Sequence, residues 1–125
     1  MARIRLDVDG RYLEAHLNDT DTARAVLGAL PLEARVNVWG DEIYFGIPVA
    51  LDESETAQAE VAVGALGYWP PGNAFCVFYG PTPVSTGAAP RAYSPVNVFG
   101  QIDGDATVLR GVRNGALIRV ELVES

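Results

Sequence analysis

Lysine is absent from this chain of 125 residues, and all nine of its basic residues are arginine. The absence of lysine excludes Schiff-base chemistry, a catalytic lysine base and a lysine-based phosphate loop. Cys76 is the only cysteine and His16 the only histidine, so one chain can form neither an internal disulfide nor a metal site of several Cys or His ligands. We therefore predict no metal site and no cofactor.

Long apolar runs are also missing. No segment approaches the roughly 18 unbroken apolar residues of a membrane-spanning helix, and Met1–Arg5 alternates charged and apolar residues where a signal peptide would be apolar. The formal net charge of −7 argues against a nucleic-acid partner, because phosphate binding needs a basic patch. We expect a cytoplasmic protein with no membrane partner. Its length predicts a single domain over residues 1–125.

The hydrophobic pattern predicts a mainly β (α+β) fold. Ile4, Leu6 and Val8 alternate with charged residues, which is the period of a half-buried strand. Similar patterns and turn signals predict further strands over 11–17, 34–39, 42–47, 61–68, 74–79, 96–102 and 116–123. Many short strands favour a barrel, because closure removes exposed sheet edges.

Two helices are predicted. The first is capped by Asp19 or Thr20 and ends before Pro31, and the second is short and capped by Asp105. The acidic segment 52–60 and the Pro-rich segment 81–95 read as surface loops. In the turn at 70–73, Gly72 is predicted to take a positive φ.

Four strings of residues carry a family resemblance: Trp39–Phe45, Gly67–Cys76, Gly80–Pro83 and Ser94–Gly100. With them the chain resembles a family of small bacterial and archaeal cyclophilin-like proteins of uncharacterised function. The resemblance implies a closed eight-stranded barrel with two short helices.

The resemblance also identifies what this chain lacks. True cyclophilins isomerise X–Pro bonds with an arginine, a glutamine and a ring-binding histidine in a hydrophobic groove. Here no arginine occurs between Arg35 and Arg91, the only glutamines are Gln58 and Gln101, and Asn97 stands at the histidine position. Catalytic residues are therefore unknown, and the resemblance favours a protein that is not an enzyme.

Aromatic residues are frequent in the middle of the chain, and at least half of them must fill the core. They are Trp39, Tyr44, Phe45, Tyr68, Trp69, Phe75, Phe78, Tyr79, Tyr93 and Phe99. From this set we predict a hydrophobic groove that binds a small molecule or an extended peptide. Its predicted ligand-binding residues are Tyr44, Phe45, Tyr68, Trp69, Phe75 and Asn97.

Two other functions stay open. One is a peptidyl-prolyl isomerase without the usual arginine, and the other is a subunit-assembly module in a homo-oligomer. Two single residues have plainer interpretations: Cys76, in an apolar strand, is expected to be a buried inert thiol, and His16 is expected to lie exposed beside Glu14.

Overall fold

Residues 2–124, which the computed structural model describes, form ten strands, one α-helix and two 3₁₀ helices. The helix α1 spans Asp21–Ala29, and the 3₁₀ helices span Pro70–Gly72 and Ala106–Leu109. The strands are β1 (Arg3–Val8), β2 (Arg11–Leu17), β3 (Leu32–Arg35), β4 (Asn37–Val38), β5 (Glu42–Gly46), β6 (Gln58–Glu60), β7 (Ala65–Trp69), β8 (Ala74–Phe78), β9 (Arg91–Asp103) and β10 (Leu117–Glu124).

The strands follow the order β3-β10-β1-β2-β9-β7-β8-β5-β4, and β6 pairs with β9 beside this path. The prediction of a closed eight-stranded barrel is therefore wrong in strand number and in closure. The path ends at β3 and β4, which are consecutive along the chain. Val36 lies between them. Its N–H donates a hydrogen bond to the carbonyl of Ala116, and its carbonyl accepts one from the N–H of Gly115, in the turn before β10. On either side of Val36 the partner strand changes, because β3 pairs with β10 and β4 pairs with β5.

The first two strands and the helix α1 follow their sequence pattern closely. β1 and β2 pair antiparallel, and their buried residues alternate as the period-two pattern predicts. Helix α1 begins after Thr20, whose side chain accepts a hydrogen bond from the N–H of Ala23 at 3.1 Å. None of the helices in residues 2–124 is long and apolar enough to cross a membrane.

Four local predictions need correction. The second helix is a single 3₁₀ turn, although Asp105 caps it as predicted by accepting from the N–H of Thr107. The segment 81–95 ends as strand, because β9 begins at Arg91, and the acidic segment ends in β6, which pairs with β9. At 70–73 a 3₁₀ helix forms, and Asn73 rather than Gly72 takes the positive φ.

The apolar residues form two clusters on opposite faces of the sheet. The larger cluster is the main core, which includes Phe45, Phe75 and Phe99; Phe75 lies 5.0 Å from each of the other two ring centroids. Every residue of β8 is buried. Because successive side chains of a strand point to opposite faces of the sheet, β8 packs into the apolar clusters on both faces. Cys76 and Phe78 belong to the second cluster, and this smaller cluster supports the candidate site.

Candidate functional site

A pocket of about 280 Å³ lies over the second apolar cluster, on the face of the sheet opposite the main core. Neighbouring strands β9, β7, β8 and β5 supply its floor and most of its walls. Its lining residues are Trp39, Glu42, Tyr44, Trp69, Cys76, Ala92, Tyr93 and Val96. Apart from Glu42, the lining is apolar or aromatic, and we call this site the aromatic pocket.

Aromatic rings stand at near right angles to one another in this pocket. The Tyr93 ring is 6.3 Å from that of Trp39 at an interplanar angle of 70°, and 6.2 Å from that of Trp69 at 87°. Edge-to-face contacts of this kind are favourable because the positive edge of one ring meets the negative face of another. Tyr93 is 74% exposed and therefore stands at the mouth of the pocket.

Two contacts hold Trp69 in place at the end of β7. Its indole Nε1–H donates a hydrogen bond to the Ser94 hydroxyl at 2.6 Å. Its six-membered ring packs on Gly72, where a Cβ atom would lie 2.7 and 2.8 Å from two ring carbons. Glycine at 72 is thus required by the close approach of the indole and not by its own backbone angles.

A second glycine lets β9 pass close to β7. A Cβ atom at Gly67 would lie 2.7 Å from Cγ2 of Val96, which is one of the lining residues. The pairing of β7 with β9 shifts register between Leu66 and Gly67, which is typical of a bulge. This close approach brings Val96 of β9 into the lining of the aromatic pocket.

Glu42 is the one charged residue of the lining, and it is only 5% exposed. Burial raises the pKa of its carboxyl group to about 7, while a hydrogen bond with the Cys76 thiol partly opposes the increase. No charged group contributes to this shift, so within residues 2–124 the carboxyl group has no cationic partner. A buried acid without a counter-ion is costly and calls for a functional explanation.

Cys76 lies beside Glu42 on the adjacent strand and is 2% exposed. Burial raises the pKa of the thiol well above its ordinary value, and the Glu42 carboxyl group raises it further. A thiol in this setting stays protonated at neutral pH and is a poor nucleophile. The prediction that this thiol is buried is confirmed, and its lack of reactivity stays a prediction.

The structure brings together two of the six predicted ligand-binding residues. Tyr44 and Trp69 line the aromatic pocket. Phe45, Tyr68 and Phe75 are at most 1% exposed and belong to the main core on the other face of the sheet. Asn97, at 2% exposure, is also outside the pocket lining.

Tyr68 and Asn97 instead hold the loop that follows β5. The Tyr68 hydroxyl lies 2.7 Å from the Val49 carbonyl oxygen and accepts from the N–H of Leu51 at 3.1 Å. Asn97 Oδ1 accepts from the N–H of Ser54 at 2.8 Å, and its Nδ2 donates to the Asp52 carbonyl at 3.0 Å. These polar atoms are satisfied within the chain, as buried polar atoms usually are.

Six of the eight lining residues were not predicted as ligand-binding, and the most important of these are Trp39, Glu42 and Tyr93. Tyr93 fell in a segment predicted to be loop, so its position on a strand was not expected. A signal for Glu42 was present, because it precedes Tyr44 by two residues and therefore shares its face of β5.

His16 is exposed, as predicted, but its partner is different. Its Nδ1 lies 2.7 Å from Oδ1 of Asp103 on β9, because β2 and β9 are paired neighbours. Oε1 of Glu14 instead lies 3.8 Å from Nε of Arg3. Exposed pairs of this kind contribute little to stability, and neither His16 nor Asp103 lines the aromatic pocket.

Comparison with known proteins places the chain in a family. The family model described as "Cyclophilin-like" matches residues 2–121. The solution structure of the hypothetical protein AF2241 from Archaeoglobus fulgidus is 38% identical, with a TM-score of 0.80, and the match covers 96% of this chain and 93% of that one.

A more distant likeness shows the fold alone. The structure of McbB in complex with tryptophan matches with a TM-score of 0.69 at 19% identity, over 94% of this chain and 44% of McbB. Among curated proteins, none matches this chain.

Proposed function

This chain belongs to the cyclophilin-like family, and we propose that within it the protein is a binding domain that holds a small organic molecule in the aromatic pocket. One observation carries the proposal: four aromatic side chains and an unpaired, buried Glu42 converge on one concave site. Small-molecule sites are typically concave and apolar, with few polar groups that orient the ligand. Glu42 is the polar group of this kind here.

The size of the pocket favours a small molecule over an extended peptide. A volume of about 280 Å³ is at the lower end of the range for ligand sites. An extended peptide needs a long groove or a free sheet edge to supply its backbone hydrogen bonds. The pocket instead lies over the middle of the sheet, on β7 and β8, whose edges are both paired.

Binding without covalent chemistry agrees with the residues present. The Cys76 thiol is buried and protonated, and the Glu42 carboxyl group has no histidine or arginine beside it to form an acid–base couple. The McbB structure was determined in complex with tryptophan, but at 19% identity that likeness carries the fold and not the ligand to this chain.

Prolyl isomerisation is the weaker alternative. The lining residues, all within residues 2–124, include no arginine to stabilise a twisted amide. Arg91, at the start of β9, instead places its Nη1 3.9 Å from Oε2 of Glu60 on β6. A protease-coupled assay on an X–Pro peptide decides this alternative, and a rate above background that is lost in an Arg91→Ala variant would favour it.

Tryptophan emission gives a direct test of binding, because both tryptophans of the chain line the pocket. Small aromatic and aliphatic molecules of positive, neutral and negative charge are titrated into the protein. We expect a subset to change the emission with saturation, and Tyr93→Ala to weaken their binding at least several-fold. Tyr12→Ala is the matched control, because Tyr12 is similarly exposed, at 69%, but lies outside the pocket.

Two results would contradict the proposal. Binding that is equally strong in the Tyr93→Ala variant would place the ligand elsewhere on the molecule. Failure of every probe to change the emission at millimolar concentration would show that the pocket does not serve as a site for small molecules.

A further inference from the structure

Resting on the proposed function, we propose that the ligand of the aromatic pocket is a small organic cation, an alkylated or methylated ammonium group whose charge meets Glu42 and whose carbon atoms contact the surrounding rings. Two independent features of the pocket point to this chemistry. One is the carboxyl group without a counter-ion, and the other is the arrangement of the aromatic rings.

The carboxyl group provides one half of the recognition. Glu42 is 5% exposed and lines the pocket, and within residues 2–124 it has no cationic side chain beside it. A buried carboxylate is destabilising unless a positive charge or hydrogen-bond donors accompany it. A ligand that brings a positive charge to this position removes that cost, whereas a neutral ligand leaves it in place.

The aromatic rings provide the other half. Trp39 and Trp69 each stand nearly perpendicular to Tyr93, at 70° and 87°, so the three rings form walls that face different directions. Cations are attracted to the face of an aromatic ring, most strongly to tryptophan, and cages of such rings bind quaternary ammonium groups. Tyr44 adds a fourth ring to the lining.

Other charged ligands fit the same residues poorly. An anion would meet Glu42 with no arginine in the lining and a chain of net charge −7 around it. A metal ion needs several oxygen, nitrogen or sulfur ligands, and residues 2–124 hold no group of three His, Cys, Asp or Glu side chains that could supply them. A soft cation with a carbon surface is complementary to both the acid and the rings.

The charge state of Glu42 makes the binding pH-dependent. Its pKa of about 7 means that a cation must displace a proton at lower pH. The other groups that titrate near it are the Cys76 thiol, on β8, and the hydroxyl of Tyr79, which follows β8. Burial raises the pKa of both groups above their ordinary values. Tyr44 and Tyr93 also line the pocket. Glu42 is therefore the group that controls the charge of the pocket near neutral pH.

The test compares a cation with a neutral molecule of the same shape. Choline and 3,3-dimethylbutan-1-ol differ in one atom, a charged nitrogen against a neutral carbon, and phenethylammonium and 2-phenylethanol form a second pair. Each is titrated into the wild-type chain and into Glu42→Gln, with tryptophan emission as the signal. We expect at least one cation to bind about tenfold or more tightly than its neutral partner in the wild type, and the preference to disappear in Glu42→Gln.

A pH series adds a second readout that a merely structural role of Glu42 would not move. Between about pH 6 and about pH 8 the ionised fraction of a group with a pKa of about 7 rises roughly tenfold, so the affinity for the cation should rise by about the same factor. The affinity of the neutral partner, and of Glu42→Gln for either molecule, should change little.

The outcomes separate this inference from the proposed function. If a neutral molecule binds as tightly as its cationic partner, and Tyr93→Ala weakens that binding, the cation is ruled out while the small-molecule site stands. If cations bind but Glu42→Gln retains their preference, the role assigned to Glu42 is refuted. If none of the four probes binds at millimolar concentration, the inference is overturned, and the wider panel of probes then decides the proposed function.

Discussion

The buried carboxyl group of Glu42 should make the chain less stable as the pH rises through neutrality. In the folded chain its pKa is about 7, against an ordinary value of 4.5 for an unfolded chain. Between these two values the folded chain keeps a proton that the unfolded chain has released, so raising the pH favours unfolding. The full effect is about 3 kcal/mol, because each pH unit of difference corresponds to about 1.4 kcal/mol.

Glu42→Gln removes this effect, since glutamine approximates the neutral carboxyl group in shape and carries no charge. Near about pH 5 the variant and the wild type should differ in unfolding free energy by less than about 1 kcal/mol. At about pH 8 the variant should be the more stable, and the difference between the two proteins should have grown by about 2.5 kcal/mol. Urea unfolding followed by circular dichroism at both pH values measures the change.

The comparison between the two proteins cancels the titration of the other carboxyl groups, which the wild type and the variant share. Glu53→Gln, at an exposed position in the loop after β5, is the control and should change the pH dependence little. Parallel stability profiles for wild type and Glu42→Gln would refute the reasoning, because they would mean that Glu42 is hydrated or paired in solution.

Two further substitutions separate the pocket from the structural residues around it. Gly72→Ala puts a Cβ atom 2.7 Å from the ring of Trp69. We therefore expect the indole to move, its emission to shift and probe affinity to fall several-fold. Gly46→Ala is the control, because a Cβ atom there meets nothing within 4 Å, and it should have none of these effects. Asn97→Ala leaves the part-buried N–H of Ser54 and carbonyl of Asp52 without their side-chain partner. It should lower the unfolding free energy by about 1 to 3 kcal/mol while probe affinity at low temperature stays unchanged. A loss of affinity in Asn97→Ala as large as that in Gly72→Ala would show that Asn97 belongs to the site after all.

Much of the fold could be predicted because it depends on local pattern. The alternation of Ile4, Leu6 and Val8 identifies β1, and the Thr20 cap identifies the start of α1. A closed barrel was predicted wrongly, because closure depends on which partner each sheet edge accepts. Val36 bonds to the turn before β10 while the next two residues pair with β5, and no single-strand pattern encodes that change.

The candidate site was predicted only in part, for a related reason. Neighbouring residues along a strand point to opposite faces of the sheet. The composition of β8, Ala-Phe-Cys-Val-Phe, does not say which face is the core. Tyr44 and Trp69 face the pocket, whereas Phe45 and Tyr68, their neighbours along the chain, face the core. Glu42 was missed because an acid at the start of a strand usually lies in solvent.

The central claim is that small molecules bind between the two tryptophans, over Glu42. The two indole N–H signals of a ¹H–¹⁵N correlation spectrum report on this claim directly, because the chain has only Trp39 and Trp69 and both line the pocket. During titration with the tightest of the probes, the account predicts that both indole signals shift and saturate together with a single dissociation constant. A probe that binds while both indole signals stay unchanged would contradict it.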